Sequence, residues 1–139
     1  MNTSRVSAFI KQFSDWASGQ PGILAVILVG SQARGEAKPD SDIDLILICQ
    51  KPEALTSDAN WTTEFGKPLR KAIEDWGPVT SLRVWYEGGL EVEFGITDEE
   101  WANGPLDAGT GQVVDHGYRI LVDKLGKVSL VLARHSQRG

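Results

Sequence analysis

Residues 23–49 read ILAVILVGSQARGEAKPDSDIDLILIC, so that two apolar runs enclose a polar segment. The first run, Ile23–Val29, is bounded by proline and glycine, a pattern typical of a strand buried on both faces. The second run, Asp42–Cys49, alternates so that Asp42 and Asp44 fall on one face of a strand. The stretch therefore predicts two core strands, the second of which begins with two acids on the same side of the sheet.

The polar segment has a glycine at the point where the first strand ends. Gly30 lets backbone amides approach an anion with no Cβ in the way. Amides at the start of a short helical turn, expected over residues 31–37, favour phosphate, and the Ser31 hydroxyl adds a donor on the same side. Arg34 lies one turn further on and could reach the same phosphates. The segment therefore predicts a cradle for a triphosphate.

The acids of the second strand predict a metal site. Asp42 and Asp44 have Cα atoms roughly 6.6 Å apart, which lets both carboxylates converge on a magnesium pair. A third carboxylate is expected from a neighbouring strand, and Glu91 and Glu93 lie on the polar face of the strand predicted over Leu90–Ile96. Glu93 is favoured because it lies nearer the apolar centre of that strand. Asp42, Asp44 and Glu93 are thus the predicted catalytic and metal-binding residues, and Glu91 remains the alternative third acid.

Residues 30–35 (GSQARG) and 41–45 (SDIDL) together resemble the motif that defines the polymerase beta nucleotidyltransferase superfamily. The resemblance implies transfer of a nucleoside monophosphate from a nucleoside triphosphate, most simply ATP, to an acceptor hydroxyl. It also implies two Mg²⁺ ions, and a third acid that orients or deprotonates the attacking hydroxyl. The nucleotide-binding positions that it implies are Gly30, Ser31, Arg34 and Ser41.

The acceptor stays open at this stage. Superfamily members that modify antibiotics or RNA usually carry a further helical domain, for which 139 residues are expected to be too few. The resemblance therefore implies a stand-alone minimal nucleotidyltransferase, with a single domain over residues 1–139. One interpretation is an enzyme that acts on a small molecule or a protein hydroxyl, and a homodimer mate could complete its acceptor pocket. The other is a binding module similar to the nucleotidyltransferase-fold antitoxins, which neutralise a helical partner protein.

Helices are predicted from apolar residues at three- and four-residue intervals. A first helix begins near Ser4 and ends at Gly19. A second apolar stripe predicts a helical region over residues 58–76, kinked or divided near Pro68. A short helix is expected after Thr97, where an acidic capping sequence begins.

Further strands are predicted from alternation and from turn residues. Ser81–Tyr86 and Leu90–Ile96 form a hairpin joined through Glu87-Gly88-Gly89. One more strand is expected over Tyr118–Val122. The sequence thus predicts an α/β (α+β) fold, in which a mixed β-sheet of about four to five strands has helices packed mainly on one face.

Composition narrows the functional classes. The 139 residues carry a net charge of -5, which argues against broad attraction to nucleic acid or an anionic membrane. The longest apolar run is too short to cross a bilayer, and the N-terminus does not read as a signal peptide, so a cytoplasmic location is expected. Cys49 is the single cysteine, and it is predicted to be buried packing.

Other polar side chains are assigned no chemistry. Arg70, Lys71 and Arg83 are interpreted as solvated or rim residues, although each could help to bind a triphosphate. His116 and His135 lie in polar surroundings without metal-ligand spacing, and they are interpreted as surface residues.

Overall fold

A computed structural model describes residues 2–34, 42–75, 79–102, 117–126 and 128 of the chain. The elements in chain order are α1 (Asn2–Ser18), β1 (Ile23–Val29), α2 (Ser31–Arg34), β2 (Ile43–Cys49), α3 (Pro52–Ser57), a 3-10 helix (Asn60–Phe65), β3 (Pro68–Asp75), β4 (Thr80–Tyr86), β5 (Glu91–Asp98), a second 3-10 helix (Glu99–Ala102) and β6 (Tyr118–Asp123). The predicted mixed α+β class is confirmed.

The sheet has six strands within the described residues, in the order β3-β4-β5-β2-β1-β6. This is slightly more than the four to five strands predicted. β2 pairs with β5 in parallel, whereas every other pairing of described strands is antiparallel. The sheet is therefore mixed, and its parallel pair lies at the centre.

One face of the sheet packs against α1 and the first 3-10 helix. All seven residues of β1 are buried, as expected for a central strand, and Ile23, Val26 and Leu28 point to this face. α1 forms because its apolar residues recur at helical spacing, which puts Phe9 and Phe13 against Phe94 of β5. Further aromatic rings that pack around Phe13 come from Trp16, Trp61 and Phe65.

The opposite face carries a smaller apolar cluster. Its buried members are Leu24, Ala25, Ile27, Val29, Ile46, Ile48 and Val128. Asp44 lies on this same face, one alternation before Ile46 along β2, as the predicted alternation requires. The acids therefore lie where the second cluster stops, at the start of β2.

The helix predicted over residues 58–76 is wrong in its second half. The 3-10 helix ends at Phe65, and Pro68–Asp75 forms the strand β3 at the edge of the described sheet instead. Leu69 and Ile73 are four residues apart, a spacing that fits one face of a helix and also one face of a strand. Pro68 favours the strand because proline is tolerated at the first residue of an edge strand.

The other predicted elements are confirmed where the structure describes them. These are α1, β1, β2, the β4–β5 hairpin with positive φ at Gly88 and Gly89, and β6. Cys49 is buried, and burial raises the pKa of its thiol to about 12. The predictions for Ser41, Trp76, His116 and His135 lie outside the described residues. No helix in the described ranges is long and apolar enough to cross a membrane.

We expect Phe13→Ala to lower the free energy of unfolding by about 3–5 kcal/mol, because it empties a fully buried ring site between helix and sheet. Urea titration followed by circular dichroism measures this loss. Lys11→Ala is the control, since Lys11 forms only an exposed ion pair with Asp15 and should change stability little. Equal unfolding midpoints for the two variants would contradict the assigned core.

Candidate metal and nucleotide site

The corner after β1 is built around Gly30. Its φ is +77°, and a Cβ at this position would lie 2.6 Å from Asp44 Oδ2. The close approach follows from the register, because Val29 is paired with Asp44 across the β1–β2 ladder. The Ala33 amide donates to the Gly30 carbonyl at 3.1 Å and starts α2. Glycine is thus required here both by the backbone conformation and by the carboxylate beside it.

The parallel pairing of β2 with β5 brings the third acid to the first two. Asp44 is paired with Glu93 in this ladder. One carboxylate oxygen from each of Asp42, Asp44 and Glu93 lies within 4.8 Å of the other two, and all three residues are half-buried. The structure therefore brings the three predicted residues together. Each of them lies within two residues of the start of β2 or of β5.

Glu91 takes a different position from Glu93. Its carboxylate accepts a hydrogen bond from Arg83 Nη1, and it is not a member of the group of converging acids found in the described residues. Glu93 accepts from the Ser81 hydroxyl at 2.7 Å and from Arg83 Nη2 at 2.8 Å. The geometry thus favours Glu93 as the third acid, and Glu91 as its neighbour in the hydrogen-bond network.

Arg83 is the residue that sequence reasoning missed. Its guanidinium contacts Asp42 Oδ2 at 2.9 Å as well as Glu91 and Glu93, so it joins acids from both strands. The signal was available in the hairpin, because the β4–β5 register pairs Arg83 directly with Glu93. Arg83 is therefore part of the acidic site and not a solvated rim residue.

The electrostatics of the site reflect excess negative charge. Burial, together with the charges of Glu93 and Asp42 and a hydrogen bond to Glu93, raises the pKa of Asp44 to about 7. Burial alone would lower the pKa of Arg83, but its hydrogen bonds to Glu91 and Asp42 outweigh this effect and raise that pKa above its ordinary value. One guanidinium does not balance the surrounding carboxylates, so a further cation would stabilise the ionised form of Asp44.

The donor set suits magnesium. Three half-buried carboxylates supply only oxygen ligands, which hard divalent cations prefer. The uncompensated charge at Asp44 is a second observation that fits a bound cation. Asp42, Asp44 and Glu93 are thus the residues that could hold the metal.

The predicted phosphate contacts are only partly described. Gly30 lies beside Asp44, and Ser31 and Arg34 are the first and last residues of α2. The side chains of Ser31 and Arg34, and the whole of Ser41, lie outside the described residues. The nucleotide-binding roles of these residues stay predictions.

A cavity of about 380 Å³ lies away from the acids. Its lining includes Trp16, Ile23, Cys49, Leu55 and Trp61. Ile23 begins β1 and Cys49 ends β2, so this cavity is at the opposite end of the strands from Gly30 and Asp44, roughly 20 Å away by strand rise. We assign it no part in the chemistry of the acidic site.

The chain is similar to proteins of a known family and to a solved structure. The family model of streptomycin adenylyltransferase matches residues 4–87. The chain is similar to the crystal structure of an aminoglycoside 6-adenyltransferase from Bacillus subtilis, with 17% identity and a TM-score of 0.54 over 68% of this chain and 36% of that one. The chain therefore spans little more than a third of that enzyme, and the likeness shows the fold alone.

A second solved structure is a toxin-antitoxin with AMP-PNP, with 12% identity and a TM-score of 0.44 over 99% of this chain and 86% of that one. A likeness at this level supports no functional inference. No curated protein sequence matches the chain significantly.

The raised pKa of Asp44 predicts a specific dependence of stability on pH. The folded protein holds a proton on Asp44 that the unfolded chain releases near pH 3.8, so this group's stabilising effect is complete below that pH and is lost as pH rises through about 7. We expect Asp44→Asn to lack this loss of stability. Its melting temperature should therefore rise relative to that of the parent as pH increases from about 4 to about 8 in chelator.

Thermal unfolding of the parent and the variant across that pH range measures this difference in melting temperature. Asp15→Asn is the control, because Asp15 lies in an exposed ion pair and should give a curve parallel to the parent's. A parallel curve for Asp44→Asn as well would show that Asp44 does not titrate in this way.

Arg83→Gln should leave the acids without their cation and lower the free energy of unfolding by about 1–3 kcal/mol in chelator. Magnesium should then raise the melting temperature of Arg83→Gln more than that of the parent, because the ion supplies the missing positive charge. Arg70→Gln is the matched control, since Arg70 stacks on Trp85 with no acid of the site in contact. Equal magnesium shifts in all three proteins would contradict the placement of Arg83 among the acids.

Proposed function

Since the chain belongs to the streptomycin adenylyltransferase family, we propose that it transfers a nucleoside monophosphate from a nucleoside triphosphate to an acceptor hydroxyl, with pyrophosphate as the leaving group. ATP is the proposed donor, in keeping with the family. The observation that carries the proposal is the convergence of Asp42, Asp44 and Glu93 beside the glycine corner. In this proposal the three acids would bind metal next to a backbone segment that an anion can approach closely.

Asp42, Asp44 and Glu93 would hold two magnesium ions in this proposal. Bound there, magnesium would neutralise charge on the phosphates and lower the pKa of the acceptor hydroxyl for in-line attack on the α-phosphorus. Gly30 and the first residues of α2 would lie along the phosphates. Ser31, Arg34 and Ser41 are proposed to add side-chain contacts to them.

Glu93 is proposed to orient the attacking hydroxyl or to accept its proton. Its carboxylate is held by the Ser81 hydroxyl on one oxygen and by Arg83 on the other. Such fixed partners limit the rotation of a glutamate side chain, which a group that acts in one geometry requires. Ser81 and Arg83 are therefore proposed as positioning residues for Glu93.

The acceptor follows less directly from the fold. The chain spans 36% of the aminoglycoside 6-adenyltransferase that it resembles, so the acceptor of that enzyme is not carried over to this chain. We propose that residues 1–139 act as one catalytic domain, and that the acceptor is a hydroxyl of a small molecule or of a protein.

The test is transfer of label from nucleoside triphosphates labelled at the α-phosphate, in magnesium, to a panel of aminoglycosides, other small hydroxyl compounds and candidate proteins. We expect the parent to transfer label, and Asp42→Asn, Asp44→Asn and Glu93→Gln each to reduce the rate by roughly a hundredfold or more.

Glu91→Gln is the matched control, since it removes a neighbouring carboxylate of the same network without removing a proposed metal ligand. Its rate should stay much closer to the parent's. Equal transfer by the parent and by the three site variants would reject the proposed mechanism. Failure of the parent to bind any labelled triphosphate in equilibrium dialysis would reject the proposed function itself.

A further inference from the structure

The outer edge of the sheet at β3 exposes apolar side chains. Leu69 is 64% exposed and Ile73 is 55% exposed, and they are the exposed large hydrophobic residues among those that the structure describes. Neither belongs to an apolar cluster of the sheet. In the described part of the chain β3 pairs with β4 alone, so its other side is an edge.

The backbone direction along β3 follows from the hairpin. The Tyr86 amide donates to the Leu90 carbonyl at 2.8 Å, so the polar backbone groups of Tyr86 point towards β5. Because direction alternates along a strand, those of Arg83 point towards β3, where Ala72 is the paired residue. Ala72 therefore points inwards, and the N–H and C=O groups of Lys71, Ile73 and Asp75 point out to the edge.

We propose that this edge pairs antiparallel with β3 of a second copy of the chain, about a two-fold axis at Ile73. An axis perpendicular to the sheet keeps corresponding side chains on the same face, so Ile73 faces Ile73 of the partner subunit. Lys71 then faces Asp75 of the partner subunit, and the reverse pair repeats on the other side of the axis. The outward backbone groups of all three residues meet outward groups of the partner.

The charges select this register. An axis at Lys71 or at Asp75 would place two like charges directly opposite each other, which is unfavourable. An axis at Ala72 would pair Arg70 with Glu74 of the partner subunit. It would also set Lys71 against Ile73 and Leu69 against Asp75, so that both exposed apolar side chains would face a charge. Of these registers, only the axis at Ile73 joins apolar to apolar and positive to negative on the face of β3 that carries Ile73, while Ala72 faces Glu74 of the partner subunit on the other face.

A lysine on an edge strand ordinarily prevents association of strands. Here an acid lies at the mirror position across Ile73, and both Lys71 and Asp75 are exposed. Lys71 Nζ also donates to the Ala59 carbonyl of its own chain at 3.4 Å, an exposed contact that leaves the ammonium further donors. The same lysine that would block other registers therefore stabilises this one. The inference does not rest on the proposed enzymatic function, because no residue of the acidic site takes part.

Charge reversal tests the register. Sedimentation velocity over a wide range of protein concentration should show the parent forming dimers at low salt, with weaker association at high salt. Lys71→Glu should weaken dimerisation about tenfold or more, since it sets like charges opposite each other at two symmetric places. Lys71→Glu combined with Asp75→Lys should restore it, and Asp75→Lys alone gives a second test of the single reversal.

Disulfide trapping tests the axis. In a Cys49→Ala background, Ile73→Cys should oxidise readily to a covalent dimer, because Cα atoms of a hydrogen-bonded pair lie about 5.5 Å apart. Ala72→Cys is the matched control, since its mate would lie roughly 8 Å away on the diagonal and beyond disulfide reach. Circular dichroism and melting temperature check that every variant is folded.

Three results would overturn the proposal. The first is a parent that stays monomeric at all concentrations. The second is dimerisation that both single charge reversals leave unchanged, which would place the contact on another surface. The third is crosslinking of Ile73→Cys no faster than that of Ala72→Cys.

Discussion

The parallel ladder between β2 and β5 determines where the chemistry of this protein can lie. It pairs Asp44 with Glu93, although 48 residues of chain separate them. Parallel neighbours need a long connection, and here that connection contains α3, a 3-10 helix and the strands β3 and β4. A slip of the ladder by one residue would turn Glu93 to the other face of the sheet, among the aromatic rings. The acidic site thus depends on the same register as the core.

Charge imbalance is the second property from which the site's behaviour follows. Carboxylates from two strands converge where the smaller apolar cluster ends, and Arg83 compensates only part of their charge. Burial, together with the neighbouring charges of Glu93 and Asp42, raises the pKa of Asp44 to about 7. An uncompensated carboxylate beside the bare backbone of Gly30 is a poor arrangement for stability alone. It is a suitable one for a divalent cation that brings a polyphosphate with it.

The predictions from sequence failed where two structures share one pattern. Leu69 and Ile73 fit a helix face and a strand face equally, and only their pairing with β4 decides between the two. Arg83 is predicted from sequence to be a solvated or rim residue that could help to bind a triphosphate. Its role depends on Glu93, which is paired with it across the hairpin. The hairpin register, combined with the preference for Glu93, would have located Arg83 in the site.

The sequence by itself determined the elements that carry strong local signals. Ile23–Val29 and the run after Asp42 are apolar enough to be central strands, Gly30 marks a corner, and alternation places Asp42 and Asp44 on one side. These are properties of neighbouring residues, so they can be read along the chain. The tertiary structure decided between Glu93, which the sequence favoured, and Glu91, and it alone decided that Arg83 joins the acids and that β3 lies at the edge of the described sheet. Each of these depends on strand order and register, which are set by the packing of distant segments.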